Sequence, residues 1–119
     1  AGLTGYRDPF NRCCYPWGGE DQGLLDFFVL LGRLRGRCTL WADGDFLPLE
    51  YDDRGFFSFL RVKKGRAAYV AVNSGPAPRQ AAPPAGFTPD TPPLVVAGYG
   101  EQTLAPMGAV VLQGWYPAP

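Results

Sequence analysis

Apolar residues dominate the stretch from Glu20 to Arg35 and recur with the spacing of an α-helix. Acidic residues begin this stretch and Arg33 and Arg35 end it, which suits the helix dipole. Its apolar positions cover roughly 260° of the circumference at ~100° per residue, whereas a helix on one face of a small domain needs little more than about 100°. The pattern therefore predicts a helix that is buried on two sides, or a central helix wrapped by this chain alone.

Short runs typical of β-strands follow the helix. These runs are Phe46–Tyr51, Phe56–Lys63, Ala67–Asn73, Leu94–Ala97, Gln102–Leu104 and Ala109–Trp115. The linkers 52–55 and 64–66 are short enough to form hairpin turns. Six or seven strands joined in this way predict a mostly β fold, an antiparallel β-sandwich preceded by a loop and one long helix.

The composition supports a packed core in spite of many turn-forming residues. Of the 119 residues, 46% are hydrophobic and 14% aromatic, while 16 are Gly and 13 are Pro. Seven of the prolines lie between residues 76 and 93, with apolar runs on both sides. Since proline lacks a backbone N–H, we expect this stretch to form one long exposed connection at a sheet edge rather than a disordered segment.

Charge and the missing histidine exclude several classes of function. Eleven basic and eleven acidic residues balance, so nothing favours nucleic acid or an anionic membrane as a partner. Without histidine the chain cannot form a Ser-His-Asp or Cys-His catalytic site or an imidazole metal site. We therefore expect no metal and no other cofactor. No apolar run approaches the roughly 18 residues of a membrane span.

Three cysteines, Cys13, Cys14 and Cys38, form no CxxC pair. A disulfide to Cys38 is one interpretation. Three free thiols are the other, and they favour a reducing, cytoplasmic compartment, although the sequence does not fix the localisation. The chain opens on Ala1-Gly2-Leu3-Thr4-Gly5, with neither Met nor a signal peptide, so we expect a piece of a longer protein.

Several short motifs occur in an order that resembles a known family. They are Asp8-Pro9-Phe10-Asn11-Arg12, Tyr15-Pro16-Trp17-Gly18, Glu20-Asp21-Gln22, Leu34-Arg35, Arg61, Val72-Asn73 and Leu104-Ala105-Pro106. Together they resemble the C-terminal part of the α-amylase family of glycoside hydrolases, family thirteen. Within that family the resemblance is to neopullulanases, cyclomaltodextrinases and maltogenic amylases, and it covers essentially the whole chain.

The resemblance implies two domains. Residues 1–38 would be the last loop and last helix of a (β/α)8 catalytic barrel, and residues 39–119 a C-terminal antiparallel β-sandwich. A last barrel helix packs on the barrel with one side and on the sandwich with the other, which agrees with the wide apolar surface of the helix. We therefore expect the fragment to self-associate through the exposed side of the 20–35 helix, or to cover that side with residues 1–19.

The resemblance also implies where the chemistry lies. Family members hydrolyse or transfer α-glucosidic bonds by a retaining mechanism that uses carboxylates. Those carboxylates would precede residue 1, so we expect no catalytic residue in this chain. By resemblance, Asp8 and Arg12 contact substrate in the intact enzyme, where they bind the sugar one position beyond the cleaved bond. The alternative is an Asp8–Arg12 ion pair that only pins the loop.

The expected function is a non-catalytic C-terminal fragment of an α-glucan-acting glycoside hydrolase, whose sandwich stabilises the barrel. The partner of the parent enzyme would be an α-glucan or a maltooligosaccharide. The alternative is a carbohydrate-binding β-sandwich module that recognises starch-like glucans, with Trp115 and Tyr116 as its most exposed aromatic candidates. A third interpretation is an unrelated β-rich interaction domain. The sequence does not distinguish hydrolysis from transfer in the parent.

Overall fold

The structure, a computed structural model, describes residues 2, 3, 5, 7, 8 and 11–117. The chain forms two compact units, residues 1–38 and residues 39–119. The helices are α1 (Gln22–Gly36) and α2 (Leu40–Asp43). The strands are β1 (Asp45–Tyr51), β2 (Phe56–Lys63), β3 (Arg66–Asn73), β4 (Arg79–Gln80), β5 (Thr88–Pro89), β6 (Val95–Gly100) and β7 (Thr103–Trp115).

Helix α1 is the main element of the first unit. Asp21 is its N-cap, and its side chain accepts a hydrogen bond of 2.9 Å from the backbone N–H of Leu24. The helix therefore begins two residues later than the apolar pattern predicts, because a capping residue lies outside the helix that it caps. Arg33 and Arg35 occupy the last turn as expected, and no residue of α1 is buried.

The second unit is a single antiparallel sheet in which strand β7 is the hub. Strands β1, β2, β3 and β7 are neighbours in that order, and β4, β5 and β6 also pair with β7. The β2–β3 hairpin is in continuous register from Phe56↔Asn73 to Lys63↔Arg66. The predicted mostly β, antiparallel fold is confirmed.

The core of the sheet follows the two-residue alternation of its strands. In β2, Phe56, Ser58 and Leu60 are buried, whereas Phe57 is exposed and Phe59 is partly exposed. The buried cluster consists of Phe56, Leu60, Tyr69, Ala71, Ala81, Leu104, Val110 and Leu112. Burial raises the pKa of Tyr69 to about 12. The opposite face carries α2, whose Trp41 carbonyl accepts a 3.1 Å hydrogen bond from the Arg61 guanidinium.

Two predictions from the pattern are wrong in detail. Two separate strands were expected at 102–104 and 109–115, but β7 runs unbroken through Pro106 and Met107. Met107 has a φ of 60°, which bends the strand without ending it. The proline-rich stretch is not simply exposed, because it contributes β4 and β5, and Ala81 is buried in the core.

Asn73 connects the end of β3 to β7. Its side chain is 1% exposed, and its amide nitrogen donates to the carbonyl oxygens of Ala77 (2.9 Å), Leu104 (3.1 Å) and Ala105 (3.2 Å). Its amide oxygen accepts from the backbone N–H of Gly75 at 3.1 Å. The Val72-Asn73 motif therefore has a structural role, since Asn73 satisfies backbone groups of the 73–77 turn and of β7.

Candidate functional site

The structure brings Asp8 and Arg12 together. Arg12 Nε lies 3.1 Å from Asp8 Oδ1, and the second contact joins an Arg12 terminal nitrogen to Asp8 Oδ2 at 3.2 Å. The guanidinium and the carboxylate thus form a two-point ion pair across four residues. Pro9 and Phe10, which complete the motif, lie outside the described residues.

Both members of this ion pair remain open to solvent. The Arg12 and Asp8 side chains are 74% and 61% exposed. A guanidinium has five N–H donors, of which the pair uses two, and each carboxylate oxygen keeps a further lone pair. An exposed pair of this kind contributes only about 0–1 kcal/mol to stability. The pair therefore adds little to the stability of the loop and leaves charged groups that are able to bind the hydroxyl groups of a ligand.

A tight turn with two aromatic rings follows this pair. The backbone N–H of Trp17 donates to the Tyr15 carbonyl at 3.0 Å, and that of Gly19 donates to the Pro16 carbonyl at 2.7 Å. The rings of Tyr15 and Trp17 are tilted by 55°, with centroids 4.6 Å apart. Trp17 is 86% exposed. Sequence reasoning noted the Tyr-Pro-Trp-Gly motif but did not predict this ring pair.

Three acids of the second unit, Asp43, Asp52 and Asp90, lie in ion pairs. Asp52 Oδ2 is 2.6 Å from Arg79, and Asp43 Oδ1 is 2.7 Å from Lys63 Nζ. The hydrogen bond from Arg79 holds the pKa of Asp52 below its usual value, and the hydrogen bond from Lys63 does the same to the pKa of Asp43. Such carboxyls stay ionised at neutral pH, so neither has the raised pKa that a general acid needs.

The aromatic residues at the end of β7 do not form an open platform. The guanidinium of Arg66 lies over the Trp115 ring, 4.3 Å from its centroid, and also binds Asp90. Tyr116 is partly buried and packs against the core. One face of Trp115 is therefore already occupied by a cation.

A more open aromatic cluster lies on the other strands. The rings of Phe46, Phe57 and Phe59 have centroids 5.0 to 6.4 Å apart, and Phe46 is 47% exposed. A separate cleft of about 300 Å³ is bounded by Arg54, Arg79 and the 73–77 turn. Two polar side chains that line this cleft already bind other groups of the protein. Asn73 donates to the Ala77 carbonyl, and Arg79 pairs with Asp52.

Within the described ranges, no group of three or more Cys, Asp or Glu side chains is placed to hold a metal ion. None of the helices there is long and apolar enough to cross a bilayer. Cys13, Cys14 and Cys38 are all free thiols.

Comparison with known proteins gives similar sequences in two kinds of enzyme. An amylopullulanase from Thermoanaerobacterium thermosulfurigenes is 30% identical over 92 residues, which cover 69% of this chain and 5% of that protein. An alpha-glucosidase from Candida albicans is 35% identical over 57 residues, which cover 46% of this chain and 10% of that protein. The chain thus spans only a small part of the curated relatives it matches. No protein-family model matches it.

The fold recurs in solved structures. An alpha-amylase from Anoxybacillus matches 98% of this chain with a TM-score of 0.67, and the match covers 27% of that enzyme's chain. The two sequences are 20% identical over the match, so this likeness concerns the fold. A fold similar to that of this chain therefore also occurs as one part of a larger protein.

Proposed function

This chain resembles the C-terminal part of α-amylase-family glycoside hydrolases in sequence and in fold, as its motifs predict, and on that premise we propose that it is the non-catalytic end of an enzyme that acts on α-glucans. Residues 1–38 supply the last loop and helix of a (β/α)8 barrel, and residues 39–119 form a β-domain that stabilises the barrel. The substrate is an α-glucan or a maltooligosaccharide.

The state of the acidic side chains carries this proposal. Retaining glycosidases need a carboxyl general acid with a raised pKa about 5 Å from a second carboxylate. In the described part of this chain, Asp8, Asp43, Asp52 and Asp90 each bind a lysine or arginine. The hydrogen bonds from Lys63 and Arg79 lower the pKa of Asp43 and of Asp52, so these two acids are poor proton donors at neutral pH. These ion pairs support our proposal that the catalytic carboxylates belong to the remainder of the enzyme.

Asp8 and Arg12 are the substrate contacts of this segment. In a (β/α)8 barrel, the loops that follow the strands build the active site, and residues 1–19 are such a loop in the proposed assignment. The exposed, paired charges of Asp8 and Arg12 suit vicinal sugar hydroxyls. Their ion pair keeps the carboxylate and the guanidinium side by side, within 3.1 Å of each other.

Assays of the 119-residue chain test whether this segment is non-catalytic on its own. We expect no release of reducing ends from pullulan or maltoheptaose, and no saturable binding of β-cyclodextrin. Cleavage by the chain alone would contradict the proposal. Saturable binding that is lost in Phe57→Ala but kept in Phe28→Ala would favour the carbohydrate-binding module, since Phe57 belongs to the open aromatic cluster of the sheet.

The stabilising role needs the intact enzyme. Deleting residues 39–119 should lower the Tm of the barrel and leave less soluble enzyme. An intact enzyme whose Tm and kcat/KM are unaffected by the deletion would show that the β-domain does not stabilise the barrel.

A further inference from the structure

Trp17 is the most exposed large apolar side chain in the described part of the chain, at 86%. Single exposed apolar residues are common, but an indole is the largest apolar side chain and leaves more area in water than any other. This exposure leaves the indole free to contact a ligand or a part of the enzyme outside this chain.

The indole is held in place by the turn rather than by burial. Pro16 fixes its own φ, and the two hydrogen bonds of the turn close the backbone on either side of Trp17. Gly18 has a φ of 81°, a conformation that favours glycine. The Tyr15 ring contacts the indole with a centroid distance of 4.6 Å. The backbone that carries the indole is therefore restrained, so binding of a ligand requires little further ordering of the main chain.

The aromatic pair lies close to the charged pair along the chain. Two residues separate Tyr15 from Arg12, so their Cα atoms are at most about 11 Å apart. Flat apolar rings next to a carboxylate and a guanidinium match the chemistry of a pyranose, which has apolar C–H faces and a rim of hydroxyls. A protein partner would use the indole as well, but it would have no need of the two exposed charges beside it.

We propose that Tyr15 and Trp17 form a stacking subsite for a further glucosyl unit of the same α-glucan whose neighbouring unit Asp8 and Arg12 contact. This inference rests on the proposed function. Trp17 acts as a specificity-determining residue that favours long substrates, because a trisaccharide bound across the cleaved bond ends at Asp8 and Arg12 and does not reach the indole.

The test compares kcat/KM for maltotriose and for maltoheptaose in the intact enzyme. Trp17→Ala should lower kcat/KM for maltoheptaose between about two- and tenfold, the range expected for an aromatic contact, and leave kcat/KM for maltotriose unchanged. Trp17→Phe should restore most of the loss, and Trp17→Leu should not, because stacking needs a flat ring. Trp115→Ala is the matched control and should not change the ratio.

Equal losses for both substrates, or a Trp17→Leu variant as good as Trp17→Phe, would overturn the subsite and make Trp17 a packing residue. A fall in Tm with an unchanged substrate ratio would do the same. Different experiments would overturn the substrate contact at Asp8 and the stacking subsite at Trp17. An Asp8→Ala enzyme with normal kinetics overturns the contact at Asp8, while a missing chain-length effect in Trp17→Ala overturns only the subsite.

Discussion

Asp52 and Arg79 join the turn after β1 to strand β4 through an ion pair in which Oδ2 and the guanidinium nitrogen are 2.6 Å apart. The Arg79 guanidinium also lies over the Phe56 ring, 4.7 Å from its centroid. The other oxygen of Asp52 accepts from the backbone N–H groups of Arg54 and Phe56. The Asp52 carboxylate thus stabilises the turn after β1 and also binds the proline-rich stretch through Arg79.

The first prediction concerns acid stability. The pKa of Asp52 is lowered in the folded chain, so below its unfolded value of 3.8 the unfolded chain binds more protons than the folded one. The stabilisation by Asp52 is complete above that pH and is lost as the pH falls through the lower, folded pKa. Asp52→Asn should lower the Tm at pH 7 and flatten the fall in Tm below pH 4. Thermal unfolding followed by circular dichroism measures both effects.

Asp53→Asn is the matched control, because Asp53 lies in the same turn and is exposed. It should leave the pH dependence of the Tm as in the wild-type chain. If both substitutions flattened the fall in Tm below pH 4 equally, the net charge of the chain, rather than the Asp52–Arg79 pair, would determine the acid stability.

The second prediction concerns Asn73. Asn73→Ala leaves several carbonyl groups without a donor and should lower the free energy of unfolding by about 2–3 kcal/mol. Asn73→Asp should be worse, since a carboxylate would face the carbonyl oxygens of Ala77 and Leu104. Urea unfolding measures the change, with the exposed Asn11→Ala as control. A loss below about 0.5 kcal/mol, the scale of an ordinary surface substitution, would contradict this role of Asn73.

The third prediction compares two glycines. A Cβ atom at Gly114 would collide with the backbone carbonyl of Thr88 in β5, whereas one at Gly32 in α1 meets nothing within 4 Å. Gly114→Ala should therefore destabilise the sheet by about 1–3 kcal/mol. Gly32→Ala should stabilise the helix by up to about 1 kcal/mol. Opposite shifts in Tm are expected, and a stabilising Gly114→Ala would show that β5 does not pair closely with β7.

The fourth prediction concerns self-association. Helix α1 exposes Phe28 at 62%, together with Leu24, Val29 and Leu30. Since water disfavours such a stripe, we expect the isolated chain to associate as its concentration rises. Sedimentation velocity should show larger species that Phe28→Glu removes, while Phe46→Glu on the sheet leaves them in place. A wild-type chain that stays monomeric at all concentrations would contradict the prediction.

The sequence pattern predicts those elements whose formation depends on neighbouring residues along the chain. The apolar spacing and the acidic and basic ends predict α1, and the turn residues between Tyr51 and Phe56 predict the β1–β2 hairpin. Strands β4 and β5 have two residues each and exist because β7 pairs with them, so no local signal marks them. The pattern predicts two strands, at 102–104 and 109–115, but the positive φ of Met107 absorbs the bend between them within β7.

The candidate site was predictable only in part. The four-residue spacing of Asp8 and Arg12 already allows an ion pair, and the structure contains it. Whether that pair also binds sugar depends on groups that these residues would share with the rest of an active site. The exposure of Trp17 could not be read from the sequence, because an aromatic residue in a turn is equally compatible with burial.

Kinetics and stability of Asp8→Ala in the intact enzyme test the central claim most directly. A lost hydrogen bond from a charged group to sugar should lower kcat/KM by about 10- to 100-fold, and loss of an exposed ion pair should hardly change the Tm. Asp26→Ala, which removes an exposed acid of α1, is the control and should change neither. A lower Tm with kcat/KM unchanged would contradict the account and leave the Asp8–Arg12 pair as a loop pin.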